Sequence, residues 1–129
     1  MKNLAPLLVV AMLALGALPA AGHHSVAGQF DLNRPVTLKG VITDVEWVNP
    51  HIYVHVDVGG EGGNVEKWRF ESVPPAFMRK ARMTPEMLKG DGGEVTIDAI
   101  LARDGTRYLG YLRVIHYADG HSYQLGETD

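Results

Sequence analysis

No cysteine occurs among the 129 residues. Disulfide staples, thiolate metal sites and a lipid-modified N-terminal cysteine are therefore excluded. A basic excess is missing too, because 12 Lys and Arg stand against 15 Asp and Glu, a formal charge of −3. Nonspecific nucleic-acid binding needs a basic face that displaces counterions, so that partner class is set aside. Beyond residue 18 no apolar run is long enough to span a membrane. Gly-rich phosphate loops, a His-Glu-x-x-His helix and a Gly-x-Ser-x-Gly elbow are all lacking. Ser25 and Ser72 carry no sequence sign of an activating base. The chain is read as a non-enzyme.

What is present begins with a leader. Lys2 is followed by the uncharged stretch Leu4 to Leu18, then by the small residues Ala20, Ala21 and Gly22. A basic start, an apolar middle and a small-residue cleavage zone form the signal-peptide pattern. Fifteen helical residues reach about 22 Å, short of a hydrocarbon core of roughly 30 Å. The expectation is a signal peptide over 1–22, an N-terminal arm over 23–34 and one domain over 35–129. Export to the periplasm or medium follows, with no membrane attachment after cleavage. Loss of Lys2 takes the formal charge to −4. The composition, 46% hydrophobic and 21% charged, is that of a globular domain.

Turn residues cut the chain from Val36 onward into short β-prone runs. Ile52, Val54, Val56 and Val58 alternate with His51, Tyr53, His55 and Asp57, the period of a half-buried strand. Trp68, Phe70 and Ser72 share a face of a third run, and Val95, Ile97, Ala99 and Leu101 a face of a fourth. The first run, Val36 to Val48, keeps Leu38, Gly40 and Ile42 in phase and then slips to Val45 and Trp47. That slip predicts a bulge bending a long strand. A fifth run around Tyr108 to Tyr117 has no clear phase. Pro74-Pro75 and Thr84-Pro85-Glu86, with Gly90 as the stop, predict helix in one or two short pieces. The order β-β-β-α-β-β, with a possible sixth strand at His121 to Leu125, predicts a mainly β fold, a small OB-like barrel. An open α+β sheet and another Greek-key barrel are the alternatives.

Four segments carry a family likeness: His23-His24-Ser25, Pro35-Val36-Thr37-Leu38-Lys39-Gly40, Glu46-Trp47-Val48-Asn49-Pro50-His51 and Leu88-Lys89-Gly90-Asp91. With these the chain resembles a family of small exported bacterial proteins known only as a domain of unknown function. The likeness runs from about His23 to about Gly120. Two departures fall in the helical stretch: Met83 stands where relatives tend to carry Trp, and no Pro separates Lys89 from Gly90. The resemblance implies no activity.

Six histidines without cysteine make imidazole the ligand to weigh. Cleavage after Ala20 or Ala21 places His23 or His24 third, and a third-position His wraps Cu(II) in a square-planar nitrogen set. Cleavage after Gly22 makes His23 the first residue, whose amine and imidazole chelate copper as half of a histidine brace does. His51 follows Asn49-Pro50 in a loop and is the candidate third nitrogen. Copper is thus the expected cofactor, held by His23, His24 and His51. Weak incidental copper binding by exposed histidines is the plain alternative. His51 and His55 cannot share an ion, since four strand residues separate them by about 13 Å.

A two-residue hairpin at Asp119-Gly120 predicts His121 opposite Ala118, with His116 diagonal on the same face, roughly 7–8 Å away. These are read as ordinary edge-strand histidines. The second functional expectation is a glycan- or protein-binding face. An OB barrel presents ligands to strands two and three and the flanking loops, here Tyr53, His55, Lys67, Arg69, Arg103 and Arg107. A plain solvated sheet face accounts for the same residues.

Overall fold

A computed structural model describes residues 25–126. The expected signal peptide, His23 and His24 lie outside the described residues, as do 127–129. The elements are α1 (Val26–Gln29), β1 (Phe30–Glu46), β2 (Tyr53–Gly59), β3 (Val65–Glu71), α2 (Pro75–Lys80), α3 (Pro85–Lys89), β4 (Glu94–Ala102), β5 (Leu109–Tyr117) and β6 (Ser122–Gln124). One short 3-10 turn, Glu61–Gly63, lies between β2 and β3. No helix among the described residues is long and apolar enough to cross a membrane.

The sheet runs β3-β2-β1-β4-β5-β6, and a parallel pairing of β3 with β5 closes it into a ring. Every other neighbouring pair is antiparallel. This connectivity, with helix between β3 and β4, is the OB-like barrel read from the sequence. β1 serves both halves, pairing β4 through Pro35–Val41 and β2 through Gly40–Glu46. Its register with β2 shifts between Ile42 and Asp44, where the apolar phase slips in the sequence. The bulge bends the strand across the barrel.

The predicted interior positions of β2, β3 and β4 all pack into one core, joined by Leu112, Ile115 and Tyr117 from β5. The unclear phase of the fifth run has a cause. The β4–β5 register shifts between Asp98 and Ala99, so Leu112 and Ile115 both turn inward although they are three apart.

Helix forms in two pieces. Pro75 opens α2, whose Met78 is buried. The Thr84 side chain accepts the Met87 N–H at 3.2 Å, Pro85 stands at N1, and Gly90 ends α3 with φ 66°. α3 plugs the barrel with Leu88, fully buried. The Tyr117 hydroxyl donates to the Leu88 carbonyl at 2.6 Å, and burial pushes this phenol well above its ordinary pKa. Tyr117→Phe should therefore lower stability by about 0.5–1.5 kcal/mol, read by denaturant unfolding. Unchanged stability would show that packing alone seats α3.

β1 begins at Phe30, ahead of the expected arm-to-barrel boundary at 35. The reason is a second, smaller core on the outside of the barrel. Phe30 packs there with Ile100 and Ala102, flanked by Leu109 and Tyr111. This cluster pins α1 against the barrel wall.

Candidate functional site

Glu71 ends β3 at an outward position, directly opposite Tyr53. Outward residues of a sheet are normally solvated, yet Glu71 is only 6% exposed. Val26, Gln29 and Phe30 from the chain start, His51 from the β1–β2 loop, and Tyr111 from β5 surround it in a cavity of about 140 Å³. A carboxylate taken out of water must be paired and hydrogen-bonded to be tolerated. Glu71 meets that demand with both oxygens. Oε1 lies 2.7 Å from His51 Nδ1, while Oε2 accepts from Tyr53 Oη at 3.4 Å and Gln29 Nε2 at 3.5 Å. Burial, together with the Glu71 charge, raises the Tyr53 pKa, so this phenol stays a donor.

The pairing sets the tautomer of His51. A carboxylate only accepts, so Nδ1 carries the proton that it donates to Glu71. In the neutral ring Nε2 then presents a lone pair, and among the described residues it has no partner. Metal-ligating histidines are held in this way, with the second ring nitrogen donating to a carboxylate. Among the described residues, however, no group of three His, Asp or Glu side chains converges on a point that would hold an ion.

Beside this cavity lies a larger apolar groove of about 930 Å³ that shares Val26, Val73, Pro74 and Tyr111 with it. Ser72 also lines the His51 cavity, and its buried hydroxyl has no partner among the described residues.

The second expected site is only partly assembled. Tyr53, His55, Lys67 and Arg69 do lie together on the outer face of β2 and β3, with His55 opposite Arg69. Arg69 stacks over the Tyr53 ring at 3.6 Å and approaches Glu46 Oε2 at 3.6 Å, and His55 Nε2 meets the same oxygen at 3.2 Å. Lys67 reaches Asp57 at 3.4 Å. Arg107 sits over its neighbour Tyr108 at 5.4 Å. Arg103 turns elsewhere. Its guanidinium donates to the carbonyls of Ala27, at 2.8 and 3.1 Å, and Phe30, at 3.2 Å, so it holds α1 in place.

A model built for a family of unknown function, DUF6152, matches residues 10–111. The chain belongs to the DUF6152 family. The match starts within the uncharged stretch Leu4 to Leu18 and ends inside β5, so it covers both cavities' walls up to Tyr111. No curated protein and no solved structure matches the chain.

Two features of this DUF6152 member were not legible in its sequence. The first is Glu71, whose outward phase reads as a solvated residue. Only the Tyr53–Glu71 register and the overlying N-terminal turn reveal it. The second is the hairpin after β5. Tyr117 N–H donates to the His121 carbonyl at 2.9 Å, so three residues, Ala118 to Gly120, make the turn instead of the expected two. Gly120 takes φ 95°, which suits a three-residue hairpin. A one-residue change of register flips the face. His121 therefore stacks on Tyr117 at 4.3 Å, while His116 stands opposite Ser122.

Proposed function

We propose that the mature protein is an exported copper-capturing module, in which His51 Nε2 joins nitrogens from the His23 and His24 region. The supporting observation is the His51–Glu71 pair, a ligand-type imidazole oriented by a buried carboxylate in a cavity walled by Val26. His24 precedes Val26 by two residues, a span of about 7 Å at full extension. The reading requires that the liberated N-terminus use that length to reach the imidazole. An amine and an imidazole from that end, with His51 as the third nitrogen, make a set suited to Cu(II). The reading requires that the leader be removed, because the terminal amine is one of the ligands. It is a binding role, with no turnover implied.

Copper titration of secreted protein, its N-terminus fixed by intact mass, tests this. Tight one-to-one binding is expected, lost on N-terminal acetylation and weakened by His51→Ala. Acetylated protein that keeps full affinity would overturn the proposal.

A second reading rests on the Arg69–Tyr53 stack, which lies where OB barrels take ligands. A planar cation beside an aromatic ring suits an anionic glycan or a protein partner. Glycan-array binding that disappears in Arg69→Ala, with no copper affinity, would favour it.

A further inference from the structure

A polar ladder crosses the outer face of four strands on the far side of β1. Thr37 Oγ1 donates to Asp98 Oδ1 at 2.7 Å, Asp98 Oδ2 lies 2.7 Å from His116 Nε2, and His116 Nδ1 lies 2.8 Å from Ser122 Oγ. The strands that carry these residues are β1, β4, β5 and β6 in spatial order. None of the four belongs to the His51 site or to the β2–β3 face.

The proton directions follow from donor chemistry. Partial burial opposes ionisation of Asp98, but hydrogen bonds from Thr37 and His116 outweigh it and hold the carboxyl below its ordinary pKa. The Arg113 charge acts in the same sense. An ionised carboxylate accepts only, so the His116 proton sits on Nε2. In the neutral ring Nδ1 then carries the lone pair and accepts the Ser122 hydroxyl proton. Nucleophile, base and orienting acid therefore stand in line, the arrangement that activates a serine, which is recognised by roles and geometry.

The sheet register adds a third component. Because Tyr117 N–H bonds the His121 carbonyl, the adjacent pair His116–Ser122 is a non-hydrogen-bonded one. Its side chains approach closely, and the backbone N–H of Ser122 points away from β5. β6 is the last strand of the sheet, so that N–H faces the open edge. A nucleophile's own N–H is one of the two donors that stabilise an oxyanion in serine hydrolases. His116 and Ser122 are both exposed, so the site is open and takes small acyl groups without a shaped pocket.

We propose that Ser122 is an acyl acceptor, the nucleophile of a surface Ser122–His116–Asp98 relay that takes acyl groups from activated esters. The hydroxyl oxygen adds to the ester carbonyl as its proton passes to His116 Nδ1. The carbon–oxygen bond to the leaving group then breaks, and the departing alkoxide or phenoxide takes that proton. The products are an ester on Ser122 and the free alcohol or phenol. With one edge N–H and no enclosing pocket, deacylation is slow, and the reaction is a stoichiometric modification.

The test is incubation of the mature protein with p-nitrophenyl acetate, reading nitrophenol release and locating the acetyl group by peptide mass mapping. One acetyl is expected on Ser122. Ser122→Ala should remove that acetyl, and His116→Gln should slow its formation about 100-fold, the scale of a general base. Asp98→Asn should give an intermediate loss. A purely structural ladder predicts otherwise: acetylation of Ser122 no faster than of exposed Ser25, or unchanged in His116→Gln. Either result overturns the proposal. Circular dichroism of each variant separates loss of chemistry from loss of fold. An unfolded His116→Gln leaves Asp98→Asn and the comparison with Ser25 to decide.

Discussion

Replacing Gly40 by alanine should destabilise the barrel more than any other single methyl group added to its strands. A Cβ at this position would lie 2.4 Å from the Asp57 carbonyl oxygen and 2.8 Å from Val56 Cγ1. The first of these is backbone, which cannot rotate aside. Gly40 also lies where β1 pairs with β2 and β4 at once, opposite Val58 on one side and Val95 on the other. Relief on one flank therefore strains the other. Overpacking of this kind costs about 1–3 kcal/mol, a large share of the roughly 5–15 kcal/mol that holds a domain together. For a domain near 100 residues the midpoint should fall by roughly 5–20 °C. Gly59→Ala is the matched control. It adds the same methyl group where nothing lies within 4 Å. Thermal unfolding of both variants should separate them clearly, and equal midpoints would mean that β1 shifts freely between its neighbours.

Glu71→Gln should weaken copper binding by about 10–100-fold while leaving the barrel folded. Loss of a carboxylate that orients a ligand imidazole has that scale of effect. The substitution keeps the size of the side chain and one acceptor oxygen, and replaces the other oxygen by an amide donor. It removes the charge that fixes the His51 tautomer and raises the basicity of Nε2. Tyr53→Phe serves as the comparison, since it removes only the 3.4 Å bond to Oε2 and leaves the His51 contact intact. Isothermal titration of the two variants should rank them in that order. Equal affinity in Glu71→Gln and wild type, with loss in His51→Ala, would reduce Glu71 to a structural anchor for α1 through Gln29.

The His51–Glu71 pair also ties three segments of the molecule together. His51 comes from a loop, Glu71 from the end of β3 and Gln29 from α1, and one carboxylate joins all three. Arg103 works from the opposite side of the same turn by holding the Ala27 and Phe30 carbonyls. The start of the described chain is thus fastened at two points.

Local periodicity carried most of the fold. Alternation in β2, β3 and β4, the slip in β1 and the Thr84-Pro85 start of α3 are each set within a few residues, by side-chain direction along a strand or by capping chemistry. These signals need no knowledge of the partner strand, and the sequence alone therefore pointed to a small β barrel, its interior face and helix between β3 and β4, while the structure decided that the helix is in two pieces. Three matters depended on which strands meet. Glu71 is buried because α1 and the β1–β2 loop cover an outward position, Arg103 turns to α1 because Phe30 docks beside it, and His116 faces Ser122 because the hairpin closes over three residues. Burial and cross-strand register are sums over distant contacts, so only the tertiary structure decided which carboxylate each histidine meets and which serine meets an imidazole.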